Sequence, residues 1–241
     1  MSSKPTIGMI VPPRAGLVPP ECSALYGDRA DFLVEGLGLD SLTPDGYDSV
    51  IDAVAGKARR LAARGADAVV LMGTSLSFYR GEAENARLAD SLRSATGLPA
   101  TTMSYAVLDA FKAVSCNRLA LGTAYVDSVN ERLCSFLEEH DVEIAGLVAM
   151  KLEAVDAIHQ VTGDSLLELG RKAFAAGPDA EGIFISCGGL RTLETTARLE
   201  SETGKPVVSS SVAGAWACMR LLGLNPGIPG YGMLLESRAQ P

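Results

Sequence analysis

A chain of 241 residues, 47% hydrophobic and 21% charged, has ordinary globular composition and can bury a proper core as one large or two small domains. Its formal net charge of −8 is spread without long like-charge blocks, and no basic cluster stands ready for phosphate backbones, which argues against nucleic acid as a partner. No apolar stretch approaches the ~20 residues of a membrane helix, and Met1-Ser2-Ser3-Lys4-Pro5 leads straight into a strand-like run, so a cytoplasmic protein with no membrane partner is expected.

Thr6-Ile7-Gly8-Met9-Ile10-Val11 reads as a first strand. Pro12-Pro13 stops it, because proline lacks the amide that a central strand needs, and a Gly- and Pro-containing loop follows. Apolar residues at Val50, Ile51, Val54, Ala55, Ala58 and Leu61 give 48–64 a helical period. Residues 66–72 form a second strand ending in Gly73-Thr74-Ser75. Residues 82–96 are a helix closed by Gly97 at a C-cap position, 100–103 a short strand and 106–114 another helix. From Arg118 the order begins again: strand 119–122, loop Thr123-Ala124-Tyr125, helix 126–140, a strand near 143–148, helix 164–176, a strand leading to Cys187, and helix 192–203.

The halves echo each other. Thr96-Gly97-Leu98-Pro99, with Thr101, Thr102 and Ser104-Tyr105-Ala106 after it, matches Thr203-Gly204-Lys205-Pro206, with Ser209, Ser210 and Ser211-Val212-Ala213. Upstream, 67–73 aligns with 181–187, which makes Gly73 and Cys187 counterparts. Strands alternating with helices imply parallel sheets with right-handed crossovers. The expected fold is α/β: two pseudo-symmetric lobes, each a short parallel sheet flanked by helices, with the active site in the cleft between them. The first lobe is expected to span 1–113, with 212–241 packing back on it, and the second 114–211.

Chemistry is expected where Gly182-Ile183-Phe184-Ile185-Ser186-Cys187-Gly188-Gly189 leaves its sheet, because ligands of open α/β sheets bind at the carboxyl ends of strands. Thr74 and Ser75 from the first half, and Tyr125 and the Ser186–Gly189 turn from the second, offer hydroxyls and glycine-exposed amides for an anion. With no Walker-type lysine or dinucleotide glycine pattern, a carboxylate suits this site better than a nucleotide. The five cysteines, Cys22, Cys116, Cys134, Cys187 and Cys218, are odd in number and irregularly spaced, which fits reduced thiols better than disulfides. His140 and His159 show no ligand spacing to each other or to cysteine, so neither a metal site nor a cofactor is expected. Exposed amides at such a turn tend to lower a cysteine's pKa.

Along nearly its whole length the chain resembles the arylmalonate decarboxylases, a branch of the aspartate/glutamate racemase superfamily. The likeness is densest in Gly8–Pro13, Ala15–Pro19, Gly36–Leu39, Leu71–Gly81, Thr123–Tyr125, Val129–Leu133, Ser186–Leu190 and Pro206–Ser211. Racemases of the superfamily place a cysteine at each of two facing strand ends; here Gly73 stands at one and Cys187 at the other, the decarboxylase pattern. The resemblance implies loss of one carboxylate from an aryl malonate, without cofactor, to give a chiral 2-arylpropionate. It implies that Thr74, Ser75, Tyr125 and the Gly188 backbone hold the retained carboxylate, with Gly73 and Gly189 beside it. Pro13, Leu39, Leu42, Tyr47, Val155 and Ile158 would surround the departing one, and Cys187 would protonate the intermediate. Proton donation requires that Cys187 start as a thiol, so it conflicts with the tendency of the turn amides to lower the pKa.

Read without the resemblance, Leu39, Leu42, Val155 and Ile158 are plain core, Tyr47 is a loop anchor, and the other four cysteines are structural. Arg14 and Arg191 depart from the family pattern, where a small and an apolar residue are usual. A racemase or cis-trans isomerase would need a second thiol, and a binding module would leave its small carboxylic acid unchanged. These residues set neither the natural substrate nor the oligomeric state.

Overall fold

The computed structural model of the chain describes residues 4–236; Met1-Ser2-Ser3 and the end of the expected C-terminal segment, 237–241, lie outside the described residues. The first half runs β1 (Thr6–Val11), α1 (Pro20–Tyr26), β2 (Asp31–Gly36), α2 (Pro44–Ile51), α3 (Val54–Ala63), β3 (Ala68–Leu71), α4 (Thr74–Phe78), α5 (Glu82–Thr96), β4 (Ala100–Thr102) and α6 (Met103–Ala113). The second runs β5 (Arg118–Thr123), α7 (Asp127–Glu138), β6 (Glu143–Ala149), α8 (Val155–His159), α9 (Gly163–Ala176), β7 (Gly182–Ser186), α10 (Leu193–Thr203), β8 (Val207–Ser209), α11 (Ser210–Leu221) and α12 (Met233–Glu236).

All pairings within the two four-stranded sheets are parallel, in the orders β2-β1-β3-β4 and β6-β5-β7-β8. The same order twice over is the expected duplication. Local chemistry repeats with it: Thr102 caps α6 by accepting from the Tyr105 amide, and Ser209 caps α11 by accepting from Val212. Gly97 (φ 71°) and Gly204 (φ 66°) end α5 and α10 in the left-handed conformation that a side chain resists. One continuous buried cluster joins the lobes, including the edge-to-face pair of Phe111 from α6 and Phe184 from β7.

Several elements differ from the sequence expectation. The helix expected over 48–64 is two, α2 and α3, separated at Asp52-Ala53; α2 begins earlier, with Thr43 as N-cap and Pro44 in the first turn. β2 lies inside the region expected to be loop, an edge strand whose Phe32-Leu33-Val34 are only half-buried and so carry a weak apolar signal. Helices α1, α4, α8, α11 and α12 and strand β8 are additional. Met103, expected to end β4, opens α6. Ala145 forms a bulge where β6 leaves register with β5, and Gly146 beside it has no room for a Cβ, which would lie 2.6 Å from the Ala176 carbonyl carbon.

Register places the site. β1 pairs Ile10 with Leu71, so Pro12-Pro13 and Met72-Gly73 leave the first sheet together. β5 pairs Thr123 with Ser186, so Tyr125 and Cys187 leave the second together. Contacts between lobes close the cleft on two sides. On one, the Leu42 amide donates to the Glu153 carbonyl (2.9 Å) beside an antiparallel Ser41–Ala154 bridge. On the other, the Thr192 amide donates to Glu21 Oε1 (3.0 Å).

Candidate active site

Between these closures lies a cavity of about 550 Å³, a size that suits a small organic ligand. Gly73, Thr74 and Ser75 come to it from the end of β3, and Cys187, Gly188 and Gly189 from the end of β7. Pro13, Leu39, Leu42, Val155 and Ile158 form its apolar wall. Leu39 and Leu42 sit on the β2–α2 loop and Val155 and Ile158 on α8, so the Leu42–Glu153 closure assembles that wall from both lobes. Tyr47 and Tyr125 do not line the surface; both are fully buried behind it.

The buried tyrosines form a cluster with Ser75 and Cys187. Ser186 Oγ donates to Tyr125 Oη at 3.3 Å, which leaves the tyrosine's own proton free for another acceptor. Burial, then the nearby Cys187, holds Tyr125 well above the usual tyrosine range. Burial also raises Tyr47, and Ser75 partly offsets it. The Tyr47 hydroxyl lies near Ser75 but makes no hydrogen bond of good geometry, while its ring tilts against Tyr79. Thr74 Oγ1 donates to Met103 Sδ at 2.9 Å.

Cys187 is buried, and burial pushes its thiol up to about 11. The Gly189 amide, the Tyr125 hydroxyl and the Leu190 amide only partly offset that effect. Of the two opposing demands, the turn amides do lower this pKa, but desolvation outweighs them. Among the described residues Cys187 is the one thiol lining the cavity.

Arg14 and Arg191, which depart from the family pattern and were expected to bear on the pocket mouth, do line the cavity; the other groups there were outside the sequence expectation. His159, which has no ligand spacing in the sequence, lies at the rim with Nε2 3.8 Å from where a Cβ on Gly189 would sit, while His140 is remote and bonds Glu82 at 2.9 Å. Glu21, Asp40 and Asp156 also line it. Burial raises the Glu21 carboxyl even though it accepts from Thr192 and Ser211. Met103 could have been noticed as the residue opening the helix after β4; nothing local marks Glu21. Among the described residues no group of three or more His, Cys, Asp or Glu is placed to hold a metal ion, and no helix is long and apolar enough to cross a membrane.

A family model described as arylmalonate decarboxylase matches residues 7–235. The chain belongs to the arylmalonate decarboxylase family. An arylmalonate decarboxylase from Bordetella bronchiseptica is 52% identical over 236 residues, 98% of each chain. A solved arylmalonate decarboxylase, a Gly-to-Cys and Cys-to-Ser double mutant in its liganded form, superposes with a TM-score of 0.94 at 51% identity, covering 97% of this chain and 99% of that one. The fold, though not by itself the activity, extends to a maleate isomerase from Pseudomonas putida S16, with a TM-score of 0.89 at 22% identity over 97% of this chain and 98% of that one. Membership in the arylmalonate decarboxylase family agrees with the resemblance carried by the Leu71–Gly81 and Ser186–Leu190 segments.

Proposed function

We propose that this enzyme decarboxylates α-aryl malonates, a reaction that the groups of its cavity can carry themselves, with Cys187 as the proton donor. The observation that carries the reading is a buried thiol, held protonated, in a cavity whose one part offers hydroxyls and whose other part is apolar. The retained carboxylate binds Ser75, Thr74 and the Gly188 amide, and the Tyr125 hydroxyl, buried behind the cavity wall, reaches it from the Ser75 side. Thr74 would then exchange a weak thioether acceptor, Met103, for a charged oxygen.

The departing carboxylate sits against Pro13, Leu39, Leu42, Val155 and Ile158, with Tyr47 behind them. Those side chains cannot solvate a charge, so leaving as neutral CO₂ relieves the mismatch. The bond to that carboxylate breaks, and its electron pair passes into the retained carboxylate as an enediolate stabilised by the hydroxyl and amide donors. Cys187 then gives its proton to the α-carbon, and the resulting thiolate regains one from solvent. The substrate is a small dicarboxylate, and the relatives solved with glycine and cysteine exchanged support attention to Gly73 and Cys187.

A racemase or cis-trans isomerase reading would require a second thiol across the cavity, where this chain has Gly73. CO₂ release from phenylmalonate, with none of the racemising activity on small amino or hydroxy acids, tests the proposal. Saturable binding of phenylmalonate with no CO₂ over prolonged incubation would overturn it in favour of a carboxylate-binding protein.

A further inference from the structure

The cavity mouth carries two guanidinium groups that the proposed chemistry leaves unused. Arg14, on the β1–α1 loop, and Arg191, on the β7–α10 loop, line it from opposite lobes. In this acidic chain most guanidinium groups hold carboxylates, as Arg80, Arg87, Arg118 and Arg171 do. Among the described residues Arg14 and Arg191 make neither an ion pair nor a hydrogen bond.

Arg14 is exposed, and its guanidinium lies beside Gly38. Its Cζ and Nη2 lie 3.3 Å from where a Cβ on Gly38 would be, and Gly38, at φ +82°, adopts a conformation that side chains resist. The guanidinium thus rests in a place that the glycine leaves open. Arg191 is near enough to Glu21 to favour its charged form, yet the two form no ion pair, and Glu21 Oε1 accepts from the Thr192 amide at 3.0 Å. Glu21 therefore does not take up the Arg191 fork.

The deep hydroxyl cluster and the apolar wall account for the two malonate carboxylates, which leaves the aromatic group for the mouth. Asp40 and Asp156 adjoin the apolar wall through Leu39 and Val155 and would repel an anion there. Arg14 and Arg191 supply guanidinium groups to the lining, and their planar forks match a carboxylate bidentately. We propose that Arg14 and Arg191 recognise an acidic substituent on the aromatic ring, so that the preferred substrates are arylmalonates bearing a ring carboxylate. This inference rests on the decarboxylase reading of the same cavity. The competing use of the guanidinium groups, stacking on an uncharged ring, would give no such preference.

The test compares CO₂ release from phenylmalonate and from its 3- and 4-carboxyphenyl analogues by the full chain. At least one carboxylated substrate is expected to have a kcat/KM about 10-fold or more above that of phenylmalonate, mainly through KM. Arg14→Gln and Arg191→Gln are each expected to reduce that ratio several-fold, with Lys restoring part of it, and added salt should compress it. A wild-type ratio at or below one for both isomers, or a ratio that neither variant moves, overturns the inference. Calorimetric binding of 4-carboxyphenylacetate and 3-carboxyphenylacetate against phenylacetate reads the same preference without turnover. Turnover of phenylmalonate with no preference defeats this inference alone; no CO₂ from any malonate, with the binding preference intact, defeats only the decarboxylase reading.

Discussion

The sulfur of Met103 lies 2.8 Å from where a side chain on Gly188 would begin, and it already accepts the hydroxyl of Thr74 at 2.9 Å. One thioether therefore couples the two strand ends to which the proposed mechanism assigns the retained carboxylate. Gly188→Ala must displace Met103, and with it the orientation of Thr74. Because methionine is flexible, the fold should survive the shift. Steady-state kinetics are expected to show kcat/KM on phenylmalonate lowered by about 10²-fold, since a small misplacement can cost that much, with the thermal midpoint little changed. Kinetics equal to wild type would show that Met103 and Thr74 are not coupled in catalysis.

Cys187→Ser should lower turnover by ~10²–10⁴-fold, the usual contribution of a positioned acid, because an alcohol is a much weaker donor than a thiol. Near-isosteric replacement in a buried position should leave the fold intact. Retention of near-normal CO₂ release would remove Cys187 from the mechanism. Thiol alkylation should inactivate the wild type, and an aryl acid bound in the cavity should protect it.

The pH profile follows from the direction of the Cys187 shift. Burial raises this thiol to about 11, so the donor form persists below that value and is lost above it. Activity should therefore run level past ~8.5, where an unperturbed cysteine ionises, and decline toward 11. Tyr125 is raised as well and stays a donor over the same range. An alkaline limb already falling near 8.5 would mean that the thiol is hydrated in the working state. Activity still climbing through 11 would make the thiolate the active form and contradict proton donation.

Gly73 and Cys187 line the same cavity from the ends of β3 and β7. Protonation by a single thiol reaches one face of a planar enediolate, so moving the thiol should move the stereochemistry. Gly73→Cys combined with Cys187→Ser is expected to form the opposite enantiomer from a prochiral methyl-aryl malonate. The reaction should be slow, because a Cβ at 73 meets Pro12 Cγ at 3.1 Å and Leu76 Cβ at 3.3 Å and must push one of them aside. Gly73→Cys alone should gain racemising activity on 2-arylpropionates. Chiral chromatography decides: the same enantiomer in excess from the double variant would show that the two strand ends do not bracket the substrate.

What the sequence determined by itself was set by local chemistry. The duplicated unit was legible because strand ends, N-caps and C-caps obey short-range rules, as Thr102 and Ser209, or Gly97 and Gly204, show. The same rules put Cys187 at one strand end and Thr74 and Ser75 just after another. Tertiary structure decided whatever depends on residues distant in the chain. β2 was hidden because an edge strand is only half-buried, and the α2–α3 break because both helices continue one apolar period. Glu21 reaches Thr192, and Arg14, Arg191 and His159 converge on one cavity, only once the two lobes pack together. The protonation of Cys187 followed the same division. A local rule lowers the pKa of a thiol among turn amides, but the net direction sums burial with every hydrogen bond to the sulfur, and only the folded chain fixes that sum.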